Sequence, residues 1–448
     1  MDKPKTKYRI PIIAALVDTF GLSPLWAIGI ALFLVGLCVV ATVWVIRSAP
    51  PRIIFITTGP IGSSFERFAD AYQKLLAPHG VTLVLQPSEG SLENLRRLEA
   101  GVDRVDLGFV QGGLPKDAKI DGLESLGSVA YQPLWVFYRN ATPISRLAEL
   151  AGKRIAVGAE GSGAHALAVT LLAANRINAE TAVLSDLDSE AAAADLIAGK
   201  LDAVFLMGDS APQQTLRNLV RVPGIQLFSF TQADAYVRRF PYLSKLQLPD
   251  GAIDLSKNLP AQDVALVGPT VELVARKGLN PALCDLLLEV AKEVHGKAGL
   301  MQRRGEFPAP LEQEISLSAD ALSYYKSGKG FFYRTVRSFW LASLLNRILV
   351  AIVPLLLVVF PAMRFFPVVY RWSIQLRIYR CYRPLLRLER NASATLTKEQ
   401  VQDLLRQLDE IEESVNHLKM PVSFAYQFYA LRGHLAFVRE RLKAAIPA

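Results

Sequence analysis

Cysteine is scarce: Cys38, Cys284 and Cys381 are the only three in 448 residues. They stand far apart and form no Cys-x-x-Cys pair, so neither a disulfide framework nor a zinc site can be built from them. The five histidines (79, 165, 295, 417 and 434) are scattered without metal-ligand spacing. Catalytic signatures are missing too. Ser162 and His165 are helix neighbours, yet the sequence assigns no carboxylate to orient the histidine. No Gly-Lys-Ser/Thr follows Gly59, which excludes a P-loop. Gly158, Gly161 and Gly163 follow a strand, but in the reverse of the dinucleotide spacing and with no ribose-binding acid at the end of a second strand. The expectation is a protein that is not an enzyme and holds no cofactor and no metal.

Acidic residues are in deficit, leaving a net charge of +9. The excess is local. Arg364, Arg371, Arg377, Arg380, Arg383, Arg387 and Arg390 face a single acid, Glu389, and Lys3, Lys5, Lys7 and Arg9 face only Asp2. Basic residues gathered beside apolar segments orient a protein in a membrane. A nucleic-acid partner is therefore not expected.

Half the chain is apolar, 51% of residues. Leu25 to Ile46 carries no charge, with Trp26 and Trp44 near its ends. About 20 apolar residues span a bilayer core. The run exceeds a signal-peptide core, and no A-x-A site follows it, so it reads as an uncleaved anchor. A second run, Phe339 to Met363, is interrupted by Asn346 and Arg347 and contains Pro354 and Pro361. Arg347 is near enough to the outer end to snorkel, and the arginine cluster begins at Arg364. The positive-inside rule then predicts a cytoplasmic N-terminus (1–24), a first span (25–46), an extracytoplasmic domain (50–330), a second span (339–363) and a cytoplasmic tail (364–448).

Between the apolar runs, strand and helix patterns alternate. Ile53–Thr57, Val81–Leu85, Val105–Val110, Arg154–Val157 and Ala203–Leu206 read as strands, and Ser63–Leu76, Ser91–Ala100, Ala164–Ala174 and Glu190–Ala198 as helices. Leu134–Tyr138 is a candidate crossing strand. Alternation of this kind predicts parallel sheets covered by helices, here a two-lobed doubly wound α/β domain.

Ligands of such sheets sit beyond the carboxyl ends of the strands. Three strand-to-helix turns combine glycine with serine: Thr58–Ser64, Ser88–Ser91 and Gly158–Ala164. Glycine admits a ligand to the backbone, serine adds a hydroxyl, and a helix start presents free N–H groups and a positive dipole end. Any one of these serines taken singly reads as a helix cap, and the three turns together form a candidate site for a small organic anion.

At these turns the sequence resembles the TAXI family of TRAP-transporter solute receptors. The resemblance lies in Thr58-Gly59-Pro60-Ile61-Gly62, Ser88 to Leu95, Gly108-Phe109-Val110-Gln111, Tyr131 to Tyr138 and Gly158 to Gly163, and it covers roughly residues 52–320. It implies a type II periplasmic-binding-protein fold that captures a small carboxylate or amino acid, glutamate-like in some members, for a TRAP-type permease. The implied ligand set is Gly59, Ile61, Gly62, Ser63, Ser64, Ser91, Gln111, Tyr131, Gly161, Ser162, Gly163, Ala164, Met207 and Gly208. The chain departs from the pattern at Glu66, at Ala164 and in the loop Met207–Pro212.

Val401, Leu404, Leu408, Ile411, Val415 and Leu418 form one heptad seam, and Phe424, Phe428, Leu431, Leu435, Val438 and Leu442 another, broken at Lys419-Met420-Pro421. An antiparallel hairpin that buries its own seam is the simplest expectation. The alternative is a surface for self-association or for a signalling partner, which would make the protein a ligand-sensing receptor. The expected surroundings are the periplasm for the domain and the cytoplasmic membrane, a lipid bilayer, for the anchors.

Overall fold

The computed structural model describes residues 24–101, 104–113, 115, 117–311, 313–391, 398–417 and 424–444. The basic residues Lys3 to Arg9, and Leu418 with the expected break at Lys419-Met420-Pro421, lie outside the described residues. The chain divides into two compact units, residues 48–345 and residues 1–47 with 346–448.

In the larger unit the strands are β1 (Ile53–Thr57), β2 (Thr82–Gln86), β3 (Leu107–Gln111), β4 (Leu123–Tyr131), β5 (Trp135–Tyr138), β6 (Arg154–Ala156), β7 (Val183–Ser185), β8 (Ala203–Leu206), β9 (Gln226–Leu227), β10 (Leu243–Leu248) and β11 (Val264–Arg276). They form two sheets, ordered β10-β11-β3-β1-β2 with β4 also on β11, and β7-β6-β8-β5-β9. The principal helices are α1 (Ser64–Leu76), α2 (Ser91–Ala100), α3 (Gly163–Ala174), α4 (Ser189–Ile197), α5 (Gln213–Arg221) and α6 (Pro281–His295). This is the expected two-lobed α/β architecture, with one correction. Strands β1, β2 and β3 are parallel, as are β6, β7 and β8, but β4, β5, β9, β10 and β11 all pair antiparallel. The antiparallel strands include those that enter or leave a lobe, where no crossover helix sets the direction.

Core formation follows the apolar spacing. Phe65, Ala69, Tyr72 and Leu76 of α1 are fully buried with Ile54, Ile56 and Phe109 beneath them. Burying one such large side chain contributes about 1.5–3 kcal/mol. On α2 the buried face is Ser91, Asn94, Leu95 and Leu98, and Leu92 is half-buried.

One strand joins the two cores. The start of β11 packs through Val264 and Leu266 on the second lobe, and its end packs through Val271, Leu273 and Ala275 on the first. The link Gln132–Leu134 between β4 and β5 runs beside it, with Gln132 N donating to Pro269 O at 2.9 Å and Leu134 N to Val267 O at 2.9 Å. Gly268 is required there, because a Cβ would run into the Gln132 carbonyl. Two paired strands therefore form the hinge between the lobes.

In the other unit, the helix Pro24–Arg47 is uncharged up to Arg47, and the helix Phe339–Asn391, whose first residues belong to the larger unit, is continuous through Arg347, Pro354, Pro361 and Pro384. The stretches Leu25–Arg47 and Phe339–Pro361 are each long and apolar enough to cross a bilayer, and few of their side chains are buried. Arg347 donates to Val45 O at 2.5 Å, which gives this charge in an apolar run a polar partner. The helices Lys398–Asn416 and Ala425–Ala444 pack their seams together and onto Ile374, Ile378, Leu385 and Leu388 of the long helix. The hairpin's apolar stripe is thus covered within the chain.

His295 ends α6 only 3% exposed, its ring against Phe68 and Tyr72. Burial pushes the imidazole down from its ordinary 6.5 to about 3. The unfolded chain binds this proton below pH 6.5 and the folded chain does not, so stability is full above 6.5 and is lost as pH falls toward 3. The expected loss approaches about 1.4 kcal/mol per pH unit across that window. His295→Leu should flatten the fall in melting temperature between pH 7 and pH 5. An unchanged slope would exclude His295 as its source.

Candidate functional site

The three glycine-serine turns converge where the lobes meet. At the first, Ser63 caps α1, its hydroxyl accepting from Glu66 N at 3.2 Å, while Glu66 Oε2 accepts from Gly62 N at 2.7 Å. This Ser-x-x-Glu cap explains the departure at Glu66, whose carboxylate serves the helix start. Ser64 crosses to the other lobe: its N and its Oγ both donate to Gly208 O at 2.7 Å. Gly62 lies against Pro212, and Ile61 is 80% exposed.

At the second turn, Asn94 is the organising side chain. Its Oδ1 accepts from Thr57 Oγ1 at 2.6 Å and Ser88 Oγ at 2.7 Å, and its Nδ2 donates to Thr58 O at 2.6 Å and Phe109 O at 2.9 Å. One buried amide thus ties the ends of β1 and β3 to the turn before α2. Ser91 Oγ accepts from Gln111 N at 2.8 Å. At the third, Ser162 caps α3, accepting from His165 N at 3.0 Å and donating to Ala159 O at 2.7 Å. Gln111 Nε2 donates to Gly163 O at 3.0 Å, and Glu93 N to Gly161 O at 2.9 Å, so both bonds join the lobes.

A group that the sequence reading did not single out occupies the convergence point. Asp209, in the loop after β8, is 0% exposed. Its Oδ2 accepts from Gly163 N at 2.6 Å and from Ser91 N at 3.4 Å, one helix start from each lobe, and its Oδ1 accepts from Ser210 Oγ at 3.0 Å. The anion seat built from helix starts therefore holds the chain's own carboxylate. Burial pushes the Asp209 carboxyl up from its ordinary range, while the Gly163 N–H, the Ser210 hydroxyl and the Ser91 N–H pull it back. The glycines have a matching physical reason. A Cβ on Gly90, whose φ is +135°, would stand 2.6 Å from Asp209 Oδ2, and one on Gly59 would strike Asp209 O. The Gln132 amide reads best with its oxygen toward Ser64 Oγ and the N–H groups of Gly208 and Asp209, which fastens this loop to the hinge.

Two cavities border the contact. One of about 330 Å³ is lined by Ser64, Tyr131 and Gly208 together with Arg67 and Arg217. The other, about 380 Å³, is lined by Ile61 and Ala164 together with Glu89, Asp188 and Glu190. Tyr131 Oη donates to Glu306 at 2.9 Å, and burial followed by that bond pushes the phenol up to about 12. Of the expected ligand set, then, Ser64, Tyr131 and Gly208 share one cavity, and Ile61 and Ala164 the other. Ser91, Gln111, Gly161 and Gly163 make the lobe contact, with Gly59 against Asp209. Ser63 and Ser162 are caps, and Met207 is a core side chain.

His165 does have a carboxylate neighbour, Asp186 Oδ1 at 3.3 Å from Nδ1, which shares that nitrogen with Gly158 O at 3.2 Å. Ser162 Oγ directs its proton to a backbone carbonyl, so the arrangement is a helix cap beside a tethered histidine. Among the described residues no three His, Cys, Asp or Glu converge to hold a metal. The signals that sequence reading missed are single residues: an acid in the Met207–Pro212 loop, an asparagine one turn into α2, and one arginine each on α1 and α5.

The pattern of the NMT1-like family matches residues 56–290. Among solved structures, part of the chain is similar to the periplasmic aliphatic sulphonate binding protein SsuA from Escherichia coli, at 17% identity and a TM-score of 0.34, covering 55% of this chain and 69% of that one. It is also similar to the substrate binding protein of an amino acid ABC transporter, at 18% identity and a TM-score of 0.34, covering 54% and 92%. A third likeness is to a histidine kinase sensor domain with similarity to periplasmic binding proteins, at 14% identity and a TM-score of 0.36, covering 54% and 90%.

Asp209→Ala should leave two buried N–H groups without an acceptor, at a cost of about 1–3 kcal/mol each. At about 2–4 °C per kcal/mol in a unit of this size, the melting temperature falls by several degrees. Formate at tens of millimolar should restore part of that loss and leave the wild type unmoved. Asp209→Asn keeps an acceptor and should melt close to the wild type. A variant Asp209→Ala that melts like the wild type, or ignores formate, would show that the carboxylate does not tie the lobes.

Proposed function

The chain belongs to the NMT1-like family, and we propose that residues 48–345 are the ligand-binding unit of a receptor that works outside the cytoplasmic membrane. The observation that carries this reading is the nature of the lobe contact. The lobes meet through hydrogen bonds from Ser64, Glu93, Gln111 and Ser91, bordered by two cavities and hinged on two strands. A polar contact on a two-strand hinge can open and re-form around a small molecule, whereas a continuous apolar core cannot.

The ligand class is a small organic anion or amino acid. In the finer reading, supported by the TAXI-like turns, the receptor delivers a glutamate-like or dicarboxylate solute to a TRAP-type permease. The anchors would be residues 25–46 and 339–363, with both termini in the cytoplasm. Their length, their exposure and the arginines from Arg364 onward support that placement. A second reading has one observation in its favour. The helix Phe339–Asn391 is unbroken, and its far end is the third member of the helical tail. A ligand-sensing receptor that reports through that tail would use such a helix.

Protease added to spheroplasts tests both placement and binding. It should digest residues 48–338 and spare the tail 398–444. At least one compound from a panel of carboxylates and amino acids should slow the digestion. Loss of the tail together with the domain would overturn the topology, and a panel without effect would overturn the receptor reading.

A further inference from the structure

The helix starts expected to seat a ligand's acid are occupied by Asp209, so an anionic ligand must find its counter-charge elsewhere. The cavity of about 330 Å³ offers it. Arg67 comes from α1, one turn beyond the Ser63 cap, and Arg217 comes from α5 of the other lobe. No acid is among the described residues that line this cavity. Arg67 donates to the Gln213 side-chain oxygen, a neutral partner. Burial pushes the Arg67 guanidinium down from its ordinary value and the Arg217 charge pushes it further, while Glu66 pulls it back. Two like charges brought from separate lobes to one cavity repel, and an anion between them reverses that repulsion. The remaining walls are largely apolar: Phe68, Trp135, Leu216, Ile253, Leu300 and Met301. The second cavity, with Glu89, Asp188 and Glu190 in its lining, disfavours an anion.

We infer that the Arg67–Arg217 cavity is the ligand site, and that it takes a small organic acid, a carboxylate or sulfonate on an apolar body. The assignment rests on the receptor reading above and names the ligand class. The volume falls at the lower end of small-molecule sites. Guanidinium groups match the planar or tetrahedral oxyanion with paired N–H donors. Because one arginine belongs to each lobe, the bound anion adds a cross-lobe tie beside the one Asp209 makes.

The test is calorimetric titration of the full chain in nanodiscs with phenylacetate, benzenesulfonate, uncharged phenylacetamide and inorganic phosphate. Phenylacetate or benzenesulfonate should bind at least tenfold more tightly than phenylacetamide and phosphate, and the better of the two identifies the head group. Arg67→Gln and Arg217→Gln should each weaken that binding at least tenfold, with Arg217→Lys retaining part of it. Both glutamine variants should melt no lower than the wild type, since each removes a like-charge contact. Equal binding by the glutamine variants overturns the assignment and leaves the receptor reading standing. Phosphate binding as tightly as the organic acids would remove the apolar walls from the site and overturn the ligand class. If none of the four probes binds, the assignment of this site and ligand class falls, while the receptor reading stands or falls separately on the protease-protection panel.

Discussion

The position of the two lobes depends on one buried carboxylate. Asp209 accepts from the Gly163 N–H of its own lobe and from the Ser91 N–H of the other. Both donors are first-turn amides that no helix can satisfy internally. The surrounding choices follow from that contact. Gly59 and Gly90 are small because Asp209 lies against them. Gln132 reaches from the hinge to hold the N–H groups of the same loop. An acceptor is needed because two orphan donors meet there, and a carboxylate suits the positive ends of the two helices.

A contact of this kind is poised. Burial raises the carboxyl and the donors lower it, so its net contribution is a small difference between opposing effects. The hinge strand β11 keeps its two ends in two separate cores. Opening the lobes therefore breaks hydrogen bonds at the cleft while both cores stay intact. A ligand anion between Arg67 and Arg217 would act on the same equilibrium from a neighbouring cavity, which separates what closes the lobes from what is recognised.

Much of this was legible in the sequence. The β-branched runs at Ile53, Val81 and Ala203 and the helical spacing of Phe65, Ala69 and Tyr72 are local patterns, and local patterns survive folding. The heptad seams of the tail are likewise covered as their spacing implies. The glycine-serine turns were visible as a group, and they do converge. Their occupant was not visible, because Asp209 lies more than 100 residues from Ser91 along the chain and only the folded lobes bring them together. The hinge strand β11 and its antiparallel partner β10 carry strand-like residues, but pairing partners and direction are set non-locally. Arg347 reads from sequence as a snorkelling residue, but its bond to the Val45 carbonyl joins positions about 300 residues apart and is not legible there. Pro354 and Pro361, within the second apolar run, lie in one continuous helix.

The central claim is that Asp209 ties the two lobes together. Spin labels at Ala100 and Ala173, one on each lobe, report it directly in the ligand-free full chain with Cys38 and Cys381 replaced by serine. Pulsed electron-electron resonance should give a single narrow distance in the wild-type background and a broader, longer distribution once Asp209 is alanine. A broad distribution already present with Asp209 intact would contradict the claim.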